Sequence, residues 1–289
     1  MAKYRKIVIT GSNGFVAKHL RKYLSEKNIQ LLSISRNNFK KFKNESKIIS
    51  NNYNQNNLLK QLQNSDTLIH LIGIGKQSVN TNYNMVNVEI TKNIVNLCKK
   101  AKIKKIVYLS GLGVSINSST GYFISKYNAE KIIINSGLDY TIFRPSYIVG
   151  KDDHFTKYLK KQIKHGEIKI PGSGNYLIQP IYIDDVVEII FQSILQSKFR
   201  NKIIDLVGPN NLTFKKYVQL FSKGTKTNIK KIDLEYAYHA AITNPKSDFN
   251  TDDLNILIGN FKGTHQKLRK LSKIKFHSIL ELLQTGRLL

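Results

Sequence analysis

Residues 7–20, IVITGSNGFVAKHL, restrict this chain more than any other stretch: a run of β-branched residues passes through two glycines into an amphipathic helical pattern. A glycine at such a turn permits a tight reversal and lets backbone N–H groups approach an anion, and the helix N-terminus adds its positive dipole end. The spacing is Gly11-x-x-Gly14-x-x-Ala17, with alanine where close helix-to-strand packing needs a small residue. Such a triplet is weak by itself, but here it opens a long series. Apolar runs at 6–10, 31–35, 47–49, 67–72, 105–110 and 140–144 read as strands. Phe15 to Glu26, Tyr83 to Lys100 and Tyr122 to Asn135 read as helices between them. The alternation predicts an α/β fold, a parallel sheet joined by crossover helices.

Past Arg144-Pro145 the rhythm changes. A helix is expected around Phe155 to Lys164, then an extended piece IKIPGSG, a strand running into a helix in QPIYIDDVVEIIFQSIL, a strand at 203–208 and a helix beginning near Thr213. After Lys226 the chain is polar with short apolar patches and ends in a helix over 277–284. The expected division is a dinucleotide-binding core over 1–150, and a region over 151–289 that contributes further core elements to about 220 and then the substrate-binding part.

Composition excludes several classes. With 289 residues the chain can bury a substantial core, and a single cysteine, Cys98, rules out an intrachain disulfide. The seven histidines show no ligand spacing, so no structural metal is expected. The start, MAKYRKIVIT, lacks a signal-peptide pattern, and no apolar run approaches the roughly 20 residues of a spanning helix, so a cytoplasmic location is expected. The net charge of +27 comes from 46 Lys+Arg against 19 Asp+Glu, but only seven of the basic residues are arginine and they spread along the whole chain. Lys, Asn and Ile are abundant throughout, as a biased genome composition would produce, so nucleic acid is disfavoured as a partner. Contact with an acidic membrane or a protein assembly stays open.

A loop of this kind after the first strand of a βα series predicts dinucleotide binding by Gly11, Ser12, Asn13, Gly14, Phe15 and Val16. The end of the second strand reads Ser35-Arg36. A carboxylate there would accept from the ribose hydroxyls of NAD, whereas a guanidinium can clamp a 2′-phosphate, so NADP(H) is preferred and NAD(H) kept as the second choice.

Several motifs then occur in a fixed order: TGSNGFVA, DTLIHLIG (66–73), NVEITKNIVNLCKKAKIKKIVYLSGLG, YFISKYNAEKII (122–133), DYTIFRPSYIVG (139–150), QPIYIDDVVEII (179–190) and DLVGPNNLTFKKY (205–217). Together they resemble the short-chain dehydrogenase/reductase superfamily in its extended and atypical branches, the NAD-dependent epimerase/dehydratase type, over residues 4 to 220. SGLGV, QPIYIDDV and VGPNNLTF are most similar to NmrA-type proteins and to the NADPH-binding accessory subunit of respiratory complex I. The resemblance implies a Rossmann-type, doubly wound parallel sheet with a small C-terminal substrate-binding region. It also implies cofactor contacts from Leu71, Ile72 and Gly73. Asn51-Asn52 stands where relatives often carry an aspartate near the adenine.

The same resemblance implies a tyrosine that exchanges a proton with a substrate hydroxyl or carbonyl, and a lysine one helical turn on that holds the ribose and lowers the phenol's pKa from about 10. Composition alone gives about two Tyr-x-x-x-Lys pairs, and the chain has four, beginning at Tyr23, Tyr122, Tyr127 and Tyr147. Only Tyr122 and Lys126 open the helix after the fifth strand, so they are the expected catalytic pair and further cofactor contacts. Relatives that do chemistry usually end that strand in two hydroxyl residues; here it reads Ser110-Gly111. Ser110 is the expected third catalytic residue, with Ser115 and Ser119 on the following loop as substitutes. Losing a positioned donor at a developing oxyanion commonly costs about a hundredfold in rate. Asp184-Asp185 reads as a helix start, Cys98 as a buried helix residue, and His70 as a core or cofactor-pocket histidine. Pro145 and Ile148, past the sixth strand, are expected to border the nicotinamide.

The expected function is an NADP(H)-dependent oxidoreductase or a sugar-nucleotide epimerase/dehydratase, acting on a sugar nucleotide, a quinone or a carbonyl compound. The alternative is a non-catalytic NADPH-binding assembly subunit or redox sensor.

Overall fold

The computed structural model describes residues 5–51, 53, 56–244, 247 and 249–288. Its first half follows the expected rhythm: β1 (Arg5–Thr10), α1 (Phe15–Ser25), β2 (Ile29–Ser35), β3 (Glu45–Ile49), α2 (Asn56–Leu62), β4 (Thr67–His70), α3 (Ile90–Lys100), β5 (Lys105–Leu109), α4 (Gly121–Ile134) and β6 (Asp139–Pro145). The second half is built of shorter pieces: β7 (Ile148–Val149), α5 (His154–Lys164), β8 (Glu167–Pro171), β9 (Leu177–Ile178), β10 (Ile181–Tyr182), α6 (Ile183–Leu195), β11 (Lys202–Leu206), β12 (Leu212–Thr213) and α7 (Phe214–Phe221). After them come β13 (Asn228–Ile232), α8 (Leu234–Thr243), α9 (Thr251–Ile258), α10 (His265–Ser272) and α11 (Ile279–Gln284).

Seven strands form one sheet in the order β11-β6-β5-β4-β1-β2-β3. The pairs from β3 to β6 are parallel. The order reverses between β1 and β4, and that switch point is where ligands of doubly wound sheets gather, beyond the carboxyl ends of the strands. Burial on both faces explains the unbroken apolar runs: Ile7, Val8 and Ile9 of β1 are fully buried, as are Leu68 and Ile69 of β4. Cys98 is buried in α3.

Two compact units emerge, Met1–Arg144 with Val187–Ile204, and Pro145–Val186 with Asp205–Leu289. Neither is one continuous stretch, because the chain returns to the first unit within α6 and leaves it again within β11.

In the first unit Arg21, on the inner face of α1, is 2% exposed. Its guanidinium is forked onto Glu45 at 2.5 and 2.9 Å and donates to the carbonyls of Ser12 (2.9 Å) and Lys40 (2.7 Å). The rings of Phe39 and Phe42 lie 4.2 and 5.2 Å from it. A buried charge is tolerable only when its donors are satisfied this fully. The result is one side chain that joins the glycine loop to the β2–β3 connection.

The second unit has its own core, with Val149, Leu159, Phe214 and Tyr217 packed among Leu257, Ile279, Leu282 and Leu283. The polar stretch after Lys226 therefore contributes its short apolar patches to a buried cluster. Asp153 caps α5 by accepting from Phe155 N and Thr156 N at 2.8 and 2.9 Å. Asp184 and Asp185 fall in the first turn of α6. Asp185 does not cap that turn: its carboxylate takes the backbone N–H of His277 at 3.0 Å and its ring Nδ1 at 2.6 Å. Among the described residues no helix is long and apolar enough to cross a membrane.

Candidate functional site

The glycine loop takes its shape from Gly11, whose φ is +72° and whose hypothetical Cβ would lie 3.0 Å from the backbone C and O of Leu71. Any other residue there would meet both a strained backbone and a wall. Gly14 stands at the N-cap of α1 and offers no side-chain acceptor. Ala17 is buried, as close helix packing requires. Ser12 turns inward: its hydroxyl donates to Ile9 O at 2.8 Å and its N–H to Ile34 O at 3.1 Å.

A cleft of about 300 Å³ opens at the switch point. Gly11, Asn13 and Gly14 form one side, Ser35, Arg36 and Asn37 another, and Leu71, Ile72 and Gly73 a third, with Tyr53, Ile74, Val86 and Ile90 completing it. Eight residues expected from the sequence to touch a cofactor thus line one cavity. Ser12, Phe15 and Val16 are not on its walls, and Asn52 lies outside the described residues. Strand β4 stops at His70, two residues short of expectation; Leu71 N still donates to Thr10 O at 3.3 Å, and Leu71 and Ile72 then line the cleft. Pro145 and Ile148 belong to the second unit, one at the end of β6 and the other in β7.

Lys126, on α4, is 5% exposed. Its ammonium donates to Leu109 O at 3.2 Å and Tyr108 Oη at 3.3 Å, and a Cβ on Gly73 would sit 2.7 Å from Nζ. The ammonium therefore packs directly against a wall of the cleft. Burial pulls its pKa down to about 8, against the opposing charge of Glu130. Glu130 is itself forked onto Arg144 at 2.6 and 2.9 Å.

Tyr122 occupies the first turn of the same helix, which Thr120 caps. Its ring meets Tyr83 edge-on at 6.0 Å. A Cβ on Gly111 would lie 3.2 Å from the Tyr122 hydroxyl and 3.5 Å from its ring, so the missing side chain is the space the phenol fills. Ser110 is 4% exposed, and its Oγ makes no hydrogen bond within the described residues. Ser115 is used locally, its hydroxyl accepting from Asn117 N at 3.2 Å, and Ser119 is exposed. The competing Tyr23 bonds Glu188, and its partner Lys27 lies over the Tyr23 ring.

His70 belongs to the core. Its two ring nitrogens engage Thr10 Oγ1 at 2.8 Å and Thr91 Oγ1 at 3.0 Å, it stacks on Tyr108, and burial lowers its pKa to about 3. Two supporting residues escaped the sequence reading. Tyr108 holds Lys126. Asn87 fixes the cleft wall: its Oδ1 accepts from Ile74 N at 2.9 Å, and its Nδ2 donates to Ile74 O and Ser125 Oγ at 3.2 and 2.9 Å. It sits in a π-helical stretch, Asn84–Glu89, and such wide turns concentrate at functional sites. Its burial, which only the structure shows, is what separates it from Asn84, Asn93 and Asn96 of the same stretch.

The model of the NAD dependent epimerase/dehydratase family matches residues 7–206. Among curated proteins, NADH dehydrogenase [ubiquinone] 1 alpha subcomplex subunit 9 of Mus musculus is 27% identical over 157 residues, 54% of this chain and 42% of that protein. The 2-alkyl-3-oxoalkanoate reductase of Shewanella oneidensis is 25% identical over 214 residues, 64% of this chain and 55% of the reductase. The chain thus spans about half the length of these relatives. Among solved structures, UDP-glucuronic acid 4-epimerase from Bacillus cereus, in complex with UDP-glucuronic acid and NAD, superposes with a TM-score of 0.77 at 17% identity, covering 98% of each chain. A nucleoside-diphosphate-sugar epimerase from Staphylococcus aureus gives 0.76 at 17% identity, covering 96% of this chain and 99% of its own. These structures share the Rossmann-type fold. With more than half its length inside the family model and the ordered motifs in place, the chain belongs to the NAD dependent epimerase/dehydratase family, in the extended branch of the short-chain dehydrogenases/reductases.

Proposed function

We propose that the first unit binds NADP(H) in the cleft between Gly11 and Gly73, and that the protein is an oxidoreductase or sugar-nucleotide epimerase/dehydratase working by hydride transfer. The observation that carries this reading is the Lys126 ammonium, buried against Gly73 at the cleft wall, with Tyr122 one helical turn away. The cleft suits the cofactor: a glycine cradle for the pyrophosphate, backbone close to the ligand, and an arginine at the end of β2. Its described lining includes Arg36 and no carboxylate, which favours NADP(H) over NAD(H).

A bound nicotinamide supplies or accepts the hydride. Tyr122 moves a proton at the substrate oxygen. Lys126, charged below about pH 8, stabilises the phenolate and holds ribose hydroxyls. Ser110, with an unbonded hydroxyl, is the donor left for the developing oxyanion, and Gly111 gives none.

The test follows NADPH absorbance against quinones, carbonyl compounds and sugar nucleotides, with Tyr122→Phe in parallel. Oxidation lost in the variant, at least about a hundredfold, supports the enzyme. Arg36→Ala should weaken NADPH by about tenfold while leaving NADH unchanged; equal weakening of both removes the NADP(H) preference. A second reading, a non-catalytic NADPH-binding subunit, draws on Gly111 in the place of a hydroxyl residue and on the relatives named as respiratory-chain subunits. Tight NADPH binding with no Tyr122-dependent turnover selects it.

A further inference from the structure

The sheet of the first unit has two edges, and charge is divided unequally between them. Loops 11–14, 71–82 and 110–120, which leave β1, β4 and β5 at their carboxyl ends, contain one charged residue, Lys76. The approach to β5 at the amino edge, KKAKIKK (99–105), contains five lysines. A bias toward lysine across the whole chain acts on both edges alike, so it leaves this asymmetry unexplained. Residues 1–4, which precede β1 in the sequence, include one lysine and no acid.

Hydrogen bonds bring further cations beside that run. Lys105 Nζ donates to Ser193 O, and Arg5 Nη1 to Ile194 O at 3.3 Å, so side chains from the starts of β5 and β1 hold the last carbonyls of α6. Burial lowers the pKa of Lys105, and the charges of Arg5 and Arg200 act in the same direction against Asp139. Of the carboxylates at this edge, Glu45 is held by Arg21, Asp139 by Arg200 at 2.7 Å and Asp66 by Lys6 N at 2.8 Å, while Glu26 is exposed. The ammonium groups of Lys99, Lys100, Lys102, Lys104 and Lys202 are exposed and engage no partner among the described residues. Two aliphatic side chains stand among these cations: Leu195, at the end of α6, is 43% exposed, and Ile203, on the edge strand β11, is 42% exposed. Phe199, the one aromatic residue of 195–203, is fully buried.

We infer that the amino edge of this sheet, from β1 to β11, docks on the surface of an anionic lipid bilayer. Unpaired lysines spread over one surface meet the headgroup charge, and exposed aliphatic groups between them enter the headgroup boundary. Single-stranded nucleic acid is held by stacking on exposed rings, and 195–203 offers none. Every residue of the surface belongs to the first unit, whose parallel strands put the dinucleotide cleft at the opposite edge, so docking does not cover it. The inference does not rest on what that cleft binds.

Co-sedimentation of the full chain with vesicles tests it, using phosphatidylcholine alone and phosphatidylcholine mixed with phosphatidylglycerol. One variant combines Lys104→Glu with Lys202→Glu, and a second combines Leu195→Ser with Ile203→Ser. A control combines Lys18→Glu with Lys92→Glu, which changes net charge equally from exposed positions on α1 and α3. Circular dichroism checks each fold, and the charge variant alone decides should the aliphatic pair fail to fold. The unmodified chain should be retained by the mixed vesicles and not by phosphatidylcholine. Retention should weaken at least about tenfold in the first variant, about threefold in the second and less than about twofold in the control. No retention on the mixed vesicles overturns the inference, as does unchanged retention of either folded test variant. A control weakened as much as the first variant also overturns it, by assigning the binding to overall charge. If the unmodified chain binds poly(U) and not the mixed vesicles, and the first variant loses poly(U), the surface takes nucleic acid and the inference falls.

Discussion

The cleft of the first unit and a ring-lined pocket of the second are nearly equal in size, about 300 and about 320 Å³, and are made from opposite materials. The first is largely backbone: glycines, strand ends and a helix N-terminus meet where the strand order reverses. The described lining of the second is almost wholly side chain, with rings drawn from 147–158, 214 and 249. A backbone-built site is set by local conformation and suits a ligand recognised by its phosphates. A ring-built site is set by tertiary packing and can change specificity by single substitutions without touching the fold.

The comparison is broken most strongly at Gly11. Gly11→Val forces a β-branched residue to φ +72° and against Leu71. Dinucleotide affinity should fall by at least about a hundredfold, while the second unit's own core stays folded by near-ultraviolet circular dichroism. Unchanged affinity in a folded variant would mean that the glycine loop does not hold the dinucleotide.

Acid should act through the first unit. His70 has a folded-state pKa of about 3 against an ordinary value of 6.5, so its stabilising contribution is complete above 6.5 and is lost as pH falls from there toward 3. Between pH 6.5 and 5 the loss should be about 2 kcal/mol. Denaturant melts at the two pH values check this, and His70→Gln should flatten the difference.

Lys126 titrates in the opposite window. With a pKa of about 8 it loses its charge as the solution becomes mildly alkaline, so NADPH affinity should fall by about tenfold between pH 7 and 9. Lys126→Met should be weak throughout and flat with pH. Its effect on stability has the reverse sign: below pH 8 the buried charge is a constant penalty, and stability rises with pH from 8 toward the unfolded value of 10.5.

The smallest effect is expected at Gly111. Since a Cβ there would come within 3.2 Å of the Tyr122 hydroxyl, Gly111→Ser should cost about 1 kcal/mol of stability and shift the phenol without raising turnover. A rise in rate would show that a hydroxyl was the only part missing.

The same contrast explains what the sequence revealed. Gly11, Gly14 and Arg36 were legible because each stands within a few residues of a strand end, where spacing and residue type carry the information, whereas Gly73 came with the family resemblance. Tyr122 and Lys126 were chosen among four pairs by their place after the fifth strand, not by spacing alone. Tyr108 and Asn87 were missed because they support neighbours remote in sequence, Lys126 and Ile74. The aromatic pocket was illegible for the same reason: Phe214 and Phe249 are ordinary apolar residues until the fold gathers them with Tyr147 and Phe155. Helices α8 to α10 lay in a stretch whose apolar positions were too sparse to show a period.

Arg21 bears on redesign. The connection that carries Arg36 and Asn37 is anchored from below, through Lys40 O, Glu45 and the rings of Phe39 and Phe42. Its backbone therefore does not need the residue at 36 to keep its course. A change of residue at 36 leaves the course of the connection in place, whereas editing Arg21 would release the Ser12 carbonyl of the glycine loop and the Lys40 to Glu45 stretch in one stroke.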